Sequence, residues 1–266
     1  MKSMGKWGIC CILLGAAGLL LGSCKNSRME PMEEKESLNE VGQGEEREWV
    51  VFAESLEGEN EEKACEMAVQ SIVRLETEHN GNVYFGSGII WDGDEERIVI
   101  ATSGHLLEEG RLLGVIFPEG KETSGELAGI CRKKDMAFVT VPVSRLEEAG
   151  QKATVVSLHQ RIFDTLDGSS RLLALGCSEN GVGDQLRRGT LKEKAWYREE
   201  FGADVMVLEC ESQPGMSGGG IFDCYGNLAG MLEGGSGNST AAFSMETINE
   251  GYEEVFGVKR DTEDYK

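Results

Sequence analysis

The sequence predicts an all-β fold of antiparallel barrels or sandwiches, and three features predict it. Short apolar runs recur from Ile72 onward between Gly, Asp and Asn breakers. They form two series, separated by Glu147-Glu148-Ala149-Gly150. No helical periodicity lies between successive runs, as the crossovers of a parallel α/β sheet would require.

The first element is nevertheless a helix, because Ala64, Met67 and Ala68 share one side of the stretch from Asn60 to Gln70. Six strands follow: Ile72 to Leu75, Val83 to Trp91, Arg97 to Thr102, Leu112 to Phe117, Glu126 to Cys131 and Met136 to Val141. The second series holds Ala153 to Ser157, Leu172 to Leu175, Gln185 to Lys192, Val205 to Glu209, Gly220 to Phe222, Leu228 to Leu232 and Ala241 to Ser244. Glu246 to Phe256 reads as a closing helix. The two series show no sequence repeat.

Ahead of these elements, Lys2 and Lys6 precede an apolar run from Trp7 to Leu21, the layout of a secretory signal. It ends in Leu21-Gly22-Ser23-Cys24, which resembles a bacterial lipobox. The resemblance implies cleavage before Cys24, lipid on that cysteine and attachment at the extracytoplasmic membrane face without a span. The run is short for a transmembrane helix.

From Glu30 to Glu62 thirteen glutamates face only Lys35 and Arg47, so residues 24–59 read as a solvated acidic tether. The formal charge of −21 also excludes a nucleic-acid partner, because phosphate neutralisation needs a basic patch. Of eight cysteines, Cys10 and Cys11 leave with the signal and Cys24 takes lipid. Cys65, Cys131, Cys177, Cys210 and Cys224 remain, an odd number without metal-ligand spacing. They read as small buried residues, with room for one disulfide that the spacing does not assign.

The chemistry starts at Gly215-Met216-Ser217-Gly218-Gly219, a G-x-S-x-G in which glycines permit a sharp turn around a nucleophilic serine. The pattern alone is weak, and Gly234-Gly235-Ser236-Gly237 reads as an ordinary glycine loop. Chain order decides more. His79, His105 and His159 all precede Ser217, which excludes the α/β-hydrolase order of serine before histidine. The Asp–His–Ser order of subtilisin belongs to an α/β fold, which the strand-rich texture disfavours.

His105 is the best-placed base, at the end of the strand Arg97 to Thr102. His79 and His159 sit in polar turns. Asp135, heading the apolar strand from Met136, is the candidate to orient the imidazole.

Four blocks together resemble the trypsin-like, or chymotrypsin-fold, serine proteases and in particular their bacterial HtrA-type branch. They are Gly86-Ser87-Gly88-Ile89-Ile90, Ile100-Ala101-Thr102-Ser103-Gly104-His105, Asp135-Met136-Ala137-Phe138-Val139 and Pro214-Gly215-Met216-Ser217-Gly218-Gly219-Gly220. The resemblance covers roughly residues 60–257. It implies two six-stranded antiparallel β-barrels, about 60–150 and 151–258, with a short C-terminal helix and a tail over 259–266.

It further implies a cleft between the barrels holding His105, Asp135 and Ser217, with the Gly215 and Ser217 amides as an oxyanion hole. His105 is expected within hydrogen-bond reach of both Ser217 and Asp135. Polypeptides are the implied substrates, and neither metal nor organic cofactor is implied. Glu211 stands six residues before Ser217, where trypsins read a basic side chain, but on this acidic surface it reads rather as a rim glutamate, which leaves small apolar substrates equally open; Glu209 matches an acidic position frequent in the HtrA branch.

Two residues depart from the family. Gly104 replaces a usual alanine and Gly220 a common proline. Few residues follow the terminal helix, so no PDZ module of the HtrA kind is expected. These departures leave a second expectation, a weak or inactive surface lipoprotein that binds or senses.

Overall fold

The structure, a computed structural model, describes residues 48–262. The signal segment, Cys24 and most of the expected tether lie outside the described residues. The first elements among the described residues are strand β1 (Val50–Phe52) and helix α1 (Glu61–Val69). Strands β2 (Ile72–His79), β3 (Asn82–Gly93) and β4 (Arg97–Ser103) lead to a 3₁₀ turn, Gly104–Leu106. Then come β5 (Arg111–Ile116), β6 (Glu122–Thr123), β7 (Glu126–Ile130) and β8 (Met136–Pro142).

After helix α2 (Val143–Ala149), strand β9 (Ala153–Val155) and helix α3 (Gln160–Thr165), the second half opens with β10 (Arg171–Gly176). It continues through β11 (Gln185–Arg198), β12 (Ala203–Glu209), β13 (Gly220–Phe222), β14 (Leu228–Ser236) and β15 (Ser239–Ser244), and ends in helix α4 (Met245–Phe256).

The fold is mostly β and matches a chymotrypsin-like architecture. Strands β10-β11-β12-β15-β14-β13 close into a six-stranded barrel, as expected for the second half. The first half differs. Its order is β6-β5-β2-β3-β4-β8-β7, a seven-stranded antiparallel sheet that is not closed by hydrogen bonds. The two edge strands, β6 and β7, are joined by only Ser124 and Gly125, so the sheet curls until its edges meet. A two-residue β6 offers too little backbone to complete the ladder across that gap.

Strand β9, grouped with the second series by its position in sequence, pairs instead with β1 in a parallel two-stranded sheet. Val50, Ala153 and Val155 thereby join the core of the first half. Strand β1 thus lies inside the acidic stretch expected as a tether, because Val50, Val51 and Phe52 interrupt its glutamates with residues that can be buried or paired.

Strands β4 and β8 show why their sequences read as continuous apolar runs. Ile98 and Ile100 of β4, with Ala137, Val139 and Val141 of β8, fill the core of the first half. Val99, Ala101, Met136 and Phe138 alternate to the opposite face and join the cluster that includes the second barrel. Both faces are buried, so the period-two alternation of a half-exposed strand is lost.

Helix α4 seals this second cluster. Ser244 caps it by accepting from the Thr247 N–H at 3.1 Å, and Gly257 ends it at φ 74°. Phe138 meets Tyr252 and Phe256 edge to face, with centroids 5.8 and 5.9 Å apart. The short helices α2 and α3 escape the sequence reading because neither is long enough to show a helical period. All five described cysteines are free thiols, four of them buried.

Beside this shared apolar cluster, one small buried side chain ties the Ser217 loop to the first half. Ser87 of β3 is fully buried. Its hydroxyl donates to the Gly215 carbonyl at 2.7 Å and accepts from the Cys177 N–H at 2.8 Å. Its backbone N–H donates to the Ser217 carbonyl at 2.8 Å, and its carbonyl accepts from Thr102 Oγ1 at 2.7 Å. Every polar atom of Ser87 is therefore used, and two of its bonds, to Gly215 O and Ser217 O, hold the Ser217 loop against the first half. Ser87→Ala strands a carbonyl and an amide, and each buried unpaired group costs about 1–3 kcal/mol. A lower urea midpoint with an unchanged m-value is the expected result.

Candidate active site

Two of the three candidate catalytic side chains are placed by strand ends. His105 lies in the 3₁₀ turn that stops β4, and Asp135 immediately precedes β8. Strands β4 and β8 are paired in register from Arg97–Pro142 to Ser103–Met136, which brings the two ends together. Asp135 then holds His105 twice. Its Oδ1 accepts the His105 backbone N–H at 2.7 Å and its Oδ2 meets Nδ1 at 2.8 Å.

The pair has a defined electrostatic sense. Burial opposes charge on Asp135, yet the hydrogen bond and charge of His105 outweigh it and hold the carboxyl below its ordinary range. The hydrogen bond to Asp135 raises the His105 imidazole, against the opposing effect of burial. An ionised carboxylate only accepts, so the proton belongs on Nδ1 and the Nε2 lone pair is left for other work.

The departure at Gly104 has a local cause. A Cβ there would lie 2.8 Å from the Met136 amide nitrogen and 3.0 Å from Asp135 Oδ1. Glycine allows the turn to sit directly on the segment that carries Asp135. At Gly220 a Cβ would fall 2.2 Å from the Phe222 ring, so any larger residue requires that ring to move.

Ser217 stands on a tight loop between β12 and β13. Gly215 and Gly218, at φ 93° and 83°, adopt left-handed backbone that a side chain would strain. A Cβ on Gly218 would meet the Ser87 carbonyl at 2.1 Å. The loop is zipped to β14 on its other side, where Gly218 N–H donates to Leu232 O and Leu232 N–H donates to Gly219 O, both at 2.7 Å. Among the described residues, the Gly215 and Ser217 amides make no hydrogen bond.

One expectation fails in this conformation. Ser217 Oγ donates to the Glu233 backbone carbonyl at 3.1 Å, and no hydrogen bond joins it to His105. The hydroxyl has one proton, and the rotamer aimed at β14 uses it there. His79 and His159, set aside as turn residues, are engaged elsewhere. His79 Nδ1 meets Glu109 O at 2.8 Å, and His159 caps α3 by accepting from Ile162 N–H at 3.3 Å.

Glu211 is exposed, as a rim glutamate would be, and Glu209 is paired with Lys192 at 2.6 Å. A groove lined by Thr77, His79, Tyr84, Leu106, Glu108 and Glu109 opens beside His105. Two residues have roles at the site that the sequence did not disclose. Ser87 stands in the block Gly86-Ser87-Gly88-Ile89-Ile90, where nothing marks its hydroxyl as a contact between the halves. Glu233 directly follows the apolar run Leu228 to Leu232, which would place an acid at the end of a buried strand. Glu233, His105 and Asp135 bring ring nitrogen and carboxyl oxygens within 4.8 Å of one another. This is not read as a metal centre, because both Asp135 oxygens are already committed to His105.

Solved structures with this fold include an HtrA-type protease, AlgW, determined with a tripeptide. It is 19% identical with a TM-score of 0.63, and the match covers 75% of this chain and 65% of that one. A serine endoprotease from Yersinia pestis follows at 17% identity and TM-score 0.61, covering 75% of this chain and 68% of that one. An inactive serine-to-alanine form of Rv3671c from M. tuberculosis H37Rv has 14% identity and TM-score 0.57, with 74% and 92% covered. These likenesses show the fold, and this chain spans 65% of the length of the AlgW protease. No curated protein matches the sequence. The model of the trypsin-like peptidase domain matches residues 86–231, from the Ser87 block to strand β14 and more than half of the 266 residues. The chain therefore belongs to the family of trypsin-like peptidase domains.

Proposed function

We propose that the protein is a serine endopeptidase that cleaves extracytoplasmic polypeptides through an acyl-enzyme. The observation that carries this reading is the double hydrogen bond of Asp135 to His105, which fixes the ring with Nδ1 protonated. Such a ring is a base at Nε2, and a base at a serine has proton transfer as its natural task.

Ser217 attacks the scissile carbonyl and passes its proton to His105. Asp135 stabilises the imidazolium, and the unpartnered Gly215 and Ser217 amides receive the oxyanion. His105 then protonates the leaving amine, and water resolves the ester by the same route. For this transfer the Ser217 hydroxyl leaves Glu233 O by rotating about χ1 to another staggered position.

The opposing reading is a binding or sensing module on the same fold. The Ser217 hydrogen bond to Glu233 O favours it, since this hydroxyl is turned from the base. A fluorophosphonate probe separates the two. The expected result is labelling of the folded protein that disappears in Ser217→Ala, and no labelling of folded wild type would leave the binding module standing.

The rate should depend on pH through His105. The neutral ring is the active form and its proton is held above the ordinary 6.5, so kcat/KM rises with pH with a midpoint above that value. A midpoint at or below it would contradict the Asp135 contact in solution.

Attachment to the extracytoplasmic face of a bacterial membrane through lipid on Cys24 belongs to the same proposal, supported by Leu21-Gly22-Ser23-Cys24. Cys24→Ser is expected to move the protein from the membrane fraction to the soluble fraction and to abolish incorporation of labelled fatty acid.

A further inference from the structure

Glu233 touches the site in two ways, and neither belongs to the reaction described above. Its backbone carbonyl accepts from Ser217 Oγ. Its side chain is 2% exposed, lies with His105 and Asp135 inside the 4.8 Å cluster, and has no hydrogen-bond partner for either oxygen. Ser103 Oγ, fully buried nearby, is equally without a partner.

An ionised carboxylate in that position would be very costly. Among the described residues no lysine or arginine pairs with it, and the ionisable groups beside it are Asp135 and His105. Two carboxyl groups this close do not both ionise, and the one with more donors keeps the charge. Asp135 has two donors from His105 and Glu233 has none. The proton therefore goes to Glu233. Burial, then the charge of Asp135, push its carboxyl well above the usual carboxylate range, with Ser103 opposing weakly.

We propose that Glu233 is a positioning residue that stays a neutral carboxylic acid and donates its proton to Asp135 while its other oxygen accepts from Ser103. These two bonds satisfy every orphaned atom of Glu233 and Ser103. The proton also matters to His105. A second negative charge at this distance would stabilise the imidazolium and remove the neutral base at the pH where the enzyme must work. Glu233 thus reinforces Asp135 without adding to its charge.

The proposal rests on the reading of His105 and Asp135 as a working base pair, and its test does not need turnover. In the full chain the imidazole titration of His105 is followed by NMR in wild type and in Glu233→Gln. A neutral Glu233 predicts a midpoint shift under about 0.3 unit, whereas loss of an ionised carboxylate lowers it by about 1 unit or more.

Stability gives an independent readout. A folded acid that keeps its proton where the unfolded chain has lost it contributes stability that is full below the ordinary carboxyl range and lost as pH rises through the folded value. Wild type should lose Tm on the alkaline side, and Glu233→Gln should flatten that loss. In kinetics, Glu233→Leu should lower kcat about tenfold or more with KM little changed, as one charge-assisted hydrogen bond is lost. Glu233→Gln, which keeps a donor, should recover most of it. A one-unit fall in the His105 midpoint, or inhibition of wild type by Zn²⁺ that Glu233→Gln abolishes, overturns the proposal by showing an ionised carboxylate. Failure of the fluorophosphonate probe to label Ser217 sinks the hydrolytic reading instead, and the titration still decides the state of Glu233.

Discussion

The buried hydroxyl of Ser87 is the contact through which the two halves share one site. It holds Gly215 O and the Cys177 amide at 2.7 and 2.8 Å, while its own backbone holds Ser217 O and is held by Thr102. His105 and Asp135 belong to the first half, and Ser217 to a loop of the second. Because a serine hydroxyl has one proton and a hydrogen-bond length tolerates little stretch, the loop cannot drift from β3 without orphaning two buried groups. Glycine at 218 permits the same approach from the other side, since a Cβ would overlap Ser87 O.

Charge is the second constraint. Asp135 carries its charge because two donors from His105 meet it, and Glu233 sits within the same cluster without any. The same buried surroundings therefore favour opposite protonation states in two carboxyl groups, according to which donors reach them. Gly104 belongs to this arrangement as well. Its missing Cβ leaves room for Asp135 to accept the His105 amide, so a residue that looks like a weakened family motif is fitted to its neighbours.

Much of this was legible along the chain. The apolar runs marked most of the strands, Asn60 and the Ala64–Ala68 spacing marked α1, and the position of every histidine before Ser217, taken with the strand-rich texture, pointed to one fold class. The short helices α2 and α3 were not legible, being below the length at which a period shows. The placement of β9 was missed because pairing with β1 is a contact across about a hundred residues, and no local pattern records it. The open edge between β6 and β7 was hidden for a related reason, since strand count does not specify whether a sheet closes.

By itself the sequence determined which groups could do chemistry, in what order, and that glycines at 215, 218 and 219 would let a serine loop turn sharply. Tertiary structure alone decided which of these groups meet. Ser87 and Gly215 are 128 residues apart, and Ser103 and Glu233 are 130 apart, yet β pairing and the contact between halves set them side by side. A strand's side chains are addressed to faces by local alternation, but their partners are chosen by register and packing across the sheet. That is why Ser217 could be singled out from its glycine motif together with the order of the histidines before it, while the carboxyl group beside its partners could be found only in the fold.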